Sequence, residues 1–410
     1  ALSSVIPCYG EGQMQKLQVL RIEYCKGMKE VFETKGTSRN KNKSGCDEGN
    51  GGIPRQNSFI MLPNLKILEI IDCGGLEHVF TFSALESLTQ LQELTIWDCK
   101  AMKVIVKKEE NASSKEVVVF PRLTSVVLKD LPELEGFFLG KNEFRWPSLD
   151  DVTIKKCPQM SMFTPGGSTS PKLKYIKTSF GIYSVDDHGL NFQTTFSATS
   201  EGMPWSFHNL IELHVEHQFV DVKKIIPSSK LLKLQKLQKI HVGYCFGVEE
   251  VFEALEAAGR YRKSSSGSGS VFDESSQTTT TTTTTLVNLP NLTQVKLEWL
   301  PHLRHIWKRN QGTTFEYPNL TRVDIYQCKK LKHVFTSSMA GGLLQLQELH
   351  ISNCKHMEEV IGKDTNVVVE AEEFDGERNE ILVLPRLKSL KLQDLPCLKG
   401  FSLGKEDFSF

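Results

Sequence analysis

The sequence predicts a solenoid of stacked strand-and-turn units, and two kinds of self-similarity support this fold class. A hydrophobic phrase, L-x-x-L-x-[IV]-x-x-C-x-x-[ML], begins at Leu17, Leu65, Leu91, Leu149, Leu237, Leu320 and Leu346. A variant with Leu in place of Cys, followed by Pro, begins at Leu123, Leu292 and Leu387. Longer blocks also return, since L-x-H-V-F-T stands at 76–81 and again at 331–336. Repetition of this kind is the signature of an α/β-type leucine-rich-repeat horseshoe.

Each unit is predicted to hold one short strand followed by a turn. The segment L-x-x-L-x-I alternates toward its end, so Leu320, Val323 and Ile325 point inward while the residues between them face solvent. The closing Cys, or the Leu of the variant, marks the turn to the far side. One unit cannot bury both of its sides, so neighbours must stack. We therefore expect a parallel β-sheet on the concave face and irregular or short helical segments on the convex side.

The organisation predicted along the chain is a single solenoid over residues 1–410 that is interrupted by polar inserts. The inserts are placed at about 34–58, 183–204, 261–285 and 363–380, where the phrase gives way to unpatterned sequence. Such segments bury too little apolar surface to repay the entropy of ordering them. The chain starts without Met and stops within a repeated block, so we expect a fragment of a longer protein.

The cysteines are predicted to be buried thiols. Seven of the ten hold the same place in the repeat, namely Cys25, Cys73, Cys99, Cys157, Cys245, Cys328 and Cys354. A free Cys behaves as a small buried hydrophobe, which suits the core at the end of a strand. Free thiols favour a reducing compartment, so we expect the protein in the cytoplasm, with the nucleus as a second location. Use of the cysteines in disulfides or metal binding stays open as the alternative.

The composition and the motif search predict a binding protein without chemistry of its own. The chain carries 49 basic and 49 acidic side chains, which gives no net field for nucleic acid, and no apolar run long enough to span a membrane. Phosphate-binding loops, zinc-protease motifs and serine-hydrolase motifs are all missing from the sequence. We therefore expect no enzymatic activity, no catalytic or metal site and no cofactor in this chain. His78 and His333 hold equivalent repeat positions and are expected at the surface.

Large aromatic residues at outward strand positions mark the predicted binding face. Tyr24, Trp97, Tyr244, Trp299 and Tyr326 fall at the seventh or eighth place of their units, where side chains should stand on the concave face. Exposed aromatics are unusual, and Tyr and Trp are common interface anchors. The polar neighbours assigned to the same face include Asp98, His241, Arg322 and Asp324. The alternative is that each aromatic merely packs on its neighbour across the ladder of strands.

Two features of the repeat are more specific than a general leucine-rich repeat. Its Cys-x-x-Leu/Met ending alternates with L-x-D-L-P-x-L at 128–134 and 392–398. Together they resemble the repeats of plant intracellular immune receptors of the coiled-coil, nucleotide-binding, leucine-rich-repeat class. The phrases WSFHNLIEL at 205–213, DVKKIIPS at 221–228 and LQKLQKI at 234–240 are similar to the disease-resistance candidate family of lettuce and its daisy-family relatives. The resemblance covers essentially the whole chain.

The resemblance implies a sensor region that recognises a pathogen effector or a guarded host protein. It also implies that the repeats restrain an upstream nucleotide-binding domain, so that ADP or ATP is expected only in a domain outside this chain. Two other interpretations stay open. One is the substrate-recognition repeats of a ubiquitin-ligase adaptor, and the other is a secreted repeat-type protein-binding module, which requires paired cysteines and occupied glycosylation sequons.

Overall fold

The structure is a computed structural model that forms two compact units, Ala1–Ser206 and Phe207–Phe410. It describes residues 4–6, 14–32, 62–109, 117–160, 162–185, 190, 207–216, 222–253, 285–307, 313–363, 382–402 and 408–409. The predicted inserts at 34–58, 261–285 and 363–380 lie almost wholly outside these ranges, as does most of 183–204. The organisation as a single solenoid therefore stays a prediction, and the two units are described one at a time.

The first unit contains a long sheet whose strands follow one another in chain order. They are Val19–Glu23, Ile67–Ile71, Glu93–Trp97, Ser125–Lys129, Asp151–Lys155, Tyr175–Thr178 and Gly181–Ser184. Each pairs in parallel with the next, except that the last two pair antiparallel. Equivalent repeat positions face each other across the ladder, as Leu20 does with Leu68. Parallel pairing in this register is what stacked repeats require.

The second unit repeats this arrangement with six strands. They are Leu210–Glu216, Lys239–Gly243, Gln294–Glu298, Arg322–Tyr326, Glu348–Ser352 and Ser389–Gln393. All neighbouring pairs are parallel and in register. Apart from Tyr175–Thr178, Gly181–Ser184 and Leu210–Glu216, each strand covers the third to seventh residues of the repeated phrase. This confirms the placement of the strands by the sequence.

Short strands occupy the other side of each unit. In the first unit they are Ser4–Ile6, Glu30–Phe32, Phe80–Thr81, Val104–Lys107, Val117–Val119, Gly136–Phe138, Glu143–Arg145 and Ser168–Thr169. In the second unit they are Lys224–Ile226, Glu250–Phe252, Thr285–Asn288, His305–Trp307, Thr313–Glu316, Phe335–Thr336, Glu359–Gly362, Leu382–Val383, Gly400–Ser402 and Phe408–Ser409. They pair in parallel as two- and three-stranded sheets.

Helical structure in the described residues is brief. Three 3₁₀ segments cover Phe82–Ser87, Phe207–Asn209 and Ser228–Lys233, and one α-helical turn covers Ser337–Ala340. No helix among the described residues is long and apolar enough to cross a membrane. The far side is therefore built mainly from short strands, where the sequence predicted irregular or short helical segments.

The core lies between the long sheet and the short strands. In the repeat that begins at Leu65, the inward residues Leu68, Ile70, Cys73 and Leu76 are fully buried. Burial of one such aliphatic side chain contributes roughly 1.5–3 kcal/mol. The equivalent residues are buried in most of the described repeats, but Leu390 and Leu392 of the last strand are 42% and 37% exposed. This alternation of buried and exposed residues, together with the parallel sheets, confirms the leucine-rich-repeat fold.

Aromatic clusters thicken the core beneath the short strands. In the first unit the ring of Phe120 stacks on that of Trp146 with centroids 4.8 Å apart, and Phe137 stacks on Phe163 at 5.0 Å. The indole of Trp146 is fully buried and donates its hydrogen bond to Ser168 Oγ at 3.1 Å. The repeated phrase does not contain these residues, so it could not predict the clusters.

Three local predictions are wrong. Cys25 is exposed, although the six other cysteines at its repeat position are buried. His78 is buried, with 8% of its surface exposed. Burial and the nearby charge of Lys107 lower its pKa. Tyr183 belongs to the hairpin strand Gly181–Ser184 and is buried, whereas the sequence placed it at the start of an insert. The hairpin forms because Gly181 adopts φ 139° and Thr178 Oγ1 donates to its carbonyl.

Candidate recognition surface

In each unit the candidate surface is the solvent-facing side of its long sheet, which we call the exposed sheet face of that unit. It consists of the alternate outward residues of each strand and of the residue that directly follows the strand. In the second unit, strand Arg322–Tyr326 shows how it arises, because Val323 and Ile325 are buried while Arg322, Asp324 and Tyr326 remain accessible. The period of two along each strand therefore sets which side chains can meet a partner.

The residue that follows each strand adopts a left-handed backbone conformation. The described members of this set are Tyr24, Asp72, Asp98, Asp130, Lys156, Tyr244, Trp299, Gln327, Asn353 and Asp394, with φ between 49° and 60°. Most donate their backbone N–H to the last strand residue of the next repeat, as Trp299 does to the Tyr326 carbonyl at 2.9 Å. This bond turns the chain away from the sheet at the same point in each repeat.

Aromatic residues at these left-handed positions have no conformational reason to be there. Asn and Asp are the non-glycine residues best suited to positive φ, and they fill half of the positions. For other residues the left-handed conformation costs about 1–2 kcal/mol. Tyr24, Tyr244 and Trp299 accept this cost, and Tyr24 is 70% exposed while Trp299 is 36% exposed. Because the turn does not require an aromatic residue at these positions, the strain points to a role in binding.

Three aromatics of the second unit form one continuous stack, which we call the aromatic row. The rings of Tyr244 and Trp299 lie nearly parallel with centroids 6.0 Å apart. Tyr326 meets Trp299 edge-on at 5.8 Å. Tyr326 is 37% exposed, and Tyr244 is half-buried. The sequence predicted these three residues on one face, and the structure brings them together.

The predicted residues of the first unit are more dispersed. Trp97 is 46% exposed, and its indole N–H donates to Asp130 Oδ2 at 2.9 Å. Asp98 follows it and pairs with Lys100. Tyr24 precedes the exposed Cys25 and lies two strands away from Trp97 in the sheet. All of these are on the exposed sheet face as predicted, but they do not stack on one another as the aromatic row does.

Charged side chains of this face pair both within a strand and across neighbouring strands. Arg322 is bound by two carboxylates, Asp324 Oδ2 at 2.6 Å from Nε and Glu348 Oε2 at 2.7 Å from Nη1. The hydrogen bond to Asp324 and its charge raise the pKa of Arg322. Other pairs follow the same pattern, including Arg21 with Glu69 at 2.6 Å and Lys239 with Glu212 at 2.8 Å. Exposed pairs of this kind contribute little to stability, roughly 0–1 kcal/mol each, so they serve mainly to shape the surface.

A chain of Asp324, His350 and Ser389 has the residue types of a hydrolytic triad. His350 Nδ1 lies 3.0 Å from Asp324 Oδ1, and its Nε2 lies 2.8 Å from Ser389 Oγ. Such catalysis also needs free N–H groups that stabilise an oxyanion. The backbone N–H of Ser389 instead donates to the Gln347 carbonyl at 3.0 Å within the ladder, and Asp324 is already bound by Arg322. The geometry therefore suits a surface hydrogen-bond network better than a catalytic site.

Several further polar residues of the exposed sheet face were not predicted from the sequence. They are His214, Glu216, Lys296, Glu298, His350 and Ser389, and they lie at the outward strand positions of the second unit. The signal that could have found them was present, because the phrase fixes which positions point outward. What the sequence did not show is which neighbours would meet across the ladder.

The buried cysteine thiols lie at the end of the strands, as predicted. Each donates weakly to the carbonyl two residues before it, as Cys245 Sγ does to Gly243 at 3.1 Å. Burial raises the pKa of Cys157 to about 12 and raises that of Cys328 well above its ordinary value. A thiol with a raised pKa is a poor nucleophile at neutral pH. The thiols of Cys157 and Cys328 therefore act as packing groups.

Comparison with known proteins agrees with this architecture. The family model described as "Plant disease resistance protein RPS2-like, leucine-rich repeats" matches residues 50–166 and 190–355, more than half of the chain. A segment of 169 residues, 41% of this chain, is 26% identical to the probable disease resistance protein At4g27220 of Arabidopsis thaliana. A segment of 100 residues, 24% of this chain, is 29% identical to the probable disease resistance protein At1g12290 of the same plant.

The matched segments cover only part of these relatives. They span 17% of the length of the first relative and 11% of the second. The repeat pattern, the parallel sheets and the family match over more than half of the chain nevertheless agree with one another. The chain thus belongs to the leucine-rich-repeat family of RPS2-like plant disease resistance proteins.

Proposed function

We propose that this chain is the non-catalytic sensor region of a plant immune receptor, and that the exposed sheet face binds a pathogen effector or a guarded host protein. Family membership supports a role in plant defence. The observation that carries the assignment of the surface is the aromatic row, in which Tyr244 and Trp299 hold strained and accessible positions that Asn or Asp would fill at lower cost.

The chemistry around the aromatic row suits a protein partner. Arg322, Asp324 and Glu348 form a charged group on the strand of Tyr326 and on the neighbouring strand. An apolar aromatic centre with a polar surround is the usual composition of a protein-binding hot spot. Both signs of charge are present, so the partner should offer hydrogen-bonding and apolar groups rather than a strongly charged surface.

The wider assignment follows from the resemblance and the family match. We propose that the repeats also restrain an upstream nucleotide-binding domain, that ADP or ATP binds there and not in this chain, and that the receptor acts in the cytoplasm. The narrower similarity to the lettuce candidate family rests on the phrases at 205–213, 221–228 and 234–240 and stays a prediction. The family match favours this role over a ubiquitin-ligase adaptor or a secreted module.

Photo-crosslinking tests the binding face and captures whichever protein binds there. A photoreactive phenylalanine analogue replaces Trp299 in the 410-residue chain expressed in leaf cells, with and without pathogen challenge. We expect a discrete protein adduct after illumination, identified by mass spectrometry. The matched control places the same analogue at Leu286, which is 49% exposed on a short strand of the far side.

The comparison of the two positions decides the proposal. An adduct formed at position 299 but not at position 286 supports the exposed sheet face as the binding surface. Identical adducts at both positions, or adducts at position 286 alone, would contradict it. The absence of any adduct at position 299 in challenged and unchallenged cells would also count against this surface.

A further inference from the structure

Two histidines and two glutamates meet on the exposed sheet face of the second unit. His214 and His241 are direct partners on adjacent parallel strands, and their ring centroids are 4.6 Å apart. His214 Nε2 lies 3.1 Å from Glu216 Oε1, and His241 Nε2 lies 3.7 Å from the same oxygen. The ligand atoms of these three side chains all lie within 4.8 Å of one another. They therefore surround a single point in space.

Gly243 explains why the carboxylates converge there. It stands in register between Glu216 on one neighbouring strand and Glu298 on the other. Since Gly243 has no side chain, both glutamates lean over it, and a Cβ at this position would lie 3.2 Å from Glu298 Cγ and 3.6 Å from Glu216 Cγ. Glu298 Oε1 thereby reaches to 2.6 Å from His241 Nε2. The gap left by the glycine brings a second carboxylate to the histidine pair.

The local charges are compatible with a cation. Lys296 Nζ lies 2.8 Å from Glu298 Oε1 and competes for that carboxylate. Lys239 is engaged by Glu212 at 2.8 Å, so its charge is already compensated. Two carboxylates thus face two imidazoles and one competing lysine.

We propose that His214, His241 and Glu216 bind a divalent transition-metal ion such as Zn²⁺, with Glu298 as a fourth ligand. Imidazole nitrogen and carboxylate oxygen are suitable donors for this class of ion. Zn²⁺ takes them at about 2.0–2.2 Å in a tetrahedral arrangement, which places ligand atoms roughly 3.3–3.6 Å apart. The two separations from Glu216, 3.1 Å to His214 and 3.7 Å to His241, lie close to this range. The ligand atoms of all three side chains lie within 4.8 Å of one another, so side-chain rotation has to supply the remaining approach. The metal site is independent of the proposed recognition role.

His350 provides an internal comparison on the same face. It occupies the strand position equivalent to His241, but its two ring nitrogens face one carboxylate, Asp324, and one hydroxyl, Ser389. Arg322 binds the same carboxylate. This histidine lacks a second imidazole and a free carboxylate, so we expect no metal binding there. The His350→Ala variant is therefore the matched control for substitution of a ladder histidine.

The test uses Co²⁺ as the spectroscopic probe and Zn²⁺ in a calorimetric titration of the 410-residue chain. We expect one equivalent of Co²⁺ to give the visible absorption of nitrogen and oxygen ligation. His214→Ala combined with His241→Ala should weaken the binding of both metals by at least about tenfold, the lower limit for loss of even an outer-shell partner. His350→Ala should bind as the parent does. Lys296→Ala should bind more tightly, because it removes the cation that competes for Glu298.

The same titrations define the contrary result. Unchanged affinity in the double histidine variant would overturn the proposal, as would an absorption spectrum dominated by thiolate-to-cobalt charge transfer, because Cys25 and Cys397 are exposed. An equal loss of affinity in His350→Ala would show that the effect is not specific to the cluster. Urea unfolding of the metal-free variants checks that each is folded, so that a loss of binding is not mistaken for a loss of structure.

Discussion

At the residue scale, the residue after each strand has two functions in the fold. Its positive φ ends the strand, and its N–H ties the turn to the next repeat, as Gln327 does with the Ser352 carbonyl at 3.1 Å. Polar residues such as Asn and Asp tolerate this conformation and are sufficient for the fold. Tyr244 and Trp299 instead place an aromatic side chain on the exposed sheet face, at a cost in backbone conformational energy.

Gln327→Gly tests the conformational cost at one such position. Gln327 has φ 58°, a backbone conformation that costs a non-glycine residue about 1–2 kcal/mol. Glycine at this position would remove that cost. Part of this gain is offset by the larger entropy of glycine in the unfolded chain. We expect the free energy of unfolding to stay unchanged or to rise by up to about 1 kcal/mol.

The matched control is Gln294→Gly, at the first residue of strand Gln294–Glu298. The same substitution there should lower the free energy of unfolding by about 0.5–1 kcal/mol, because glycine weakens a strand. Urea unfolding midpoints compare the two variants. Equal destabilisation by both would mean that the left-handed conformation imposes no cost at position 327.

Prediction from sequence succeeded for most residues that the phrase fixes and failed where neighbouring residues determine burial. The phrase located six buried cysteines and the exposed Trp97, Trp299 and Tyr326 correctly, but it also predicted burial for Cys25, which is exposed. It placed His78 at the surface, but that side chain is buried, and the phrase carries no information about what lies over it. His241 pairs with Glu298 because Gly243, two residues after His241, lies opposite Glu298 on the neighbouring strand. The sequence does not show which residues are opposite each other in the sheet.

At the element scale, the strands alternate so regularly that adjacent residues have different roles. In strand Glu348–Ser352, Leu349 and Ile351 are buried in the core and His350 lies on the exposed sheet face. The sequence predicted this alternation from the spacing of the aliphatic residues. The sequence could not predict the antiparallel strand Gly181–Ser184. This strand depends on a turn at Gly181, and the repeated phrase does not include such a turn.

Leu349→Ala and His350→Ala test the alternation in two neighbouring residues. Leu349 is fully buried, so its truncation should lower the free energy of unfolding by about 2–5 kcal/mol. His350 makes partly exposed hydrogen bonds to Asp324 and Ser389, so its loss should cost about 1 kcal/mol. Urea unfolding followed by circular dichroism measures both. Comparable losses in the two variants would show that the strand is not buried on one face only.

At the scale of the whole molecule, the chain is a scaffold that repeats one strand and varies its outward residues. Equal numbers of basic and acidic side chains leave no general field, so specificity must come from local groups. The aromatic row is one such group in the described part of the second unit. We therefore expect these aromatics to bind the partner and not to support the fold.

The most direct measurement of this claim replaces Tyr244 and Trp299 together with Asn in a complete receptor that carries this region. Asn suits the left-handed conformation, so the fold should be retained. The control replaces Leu286 and Leu344 with Asn, because both are large exposed apolar residues outside the aromatic row. We predict that the receptor with Tyr244→Asn and Trp299→Asn accumulates normally but loses its response to the pathogen that activates it, whereas the control responds fully. A full response from the aromatic variant at normal abundance would contradict the account.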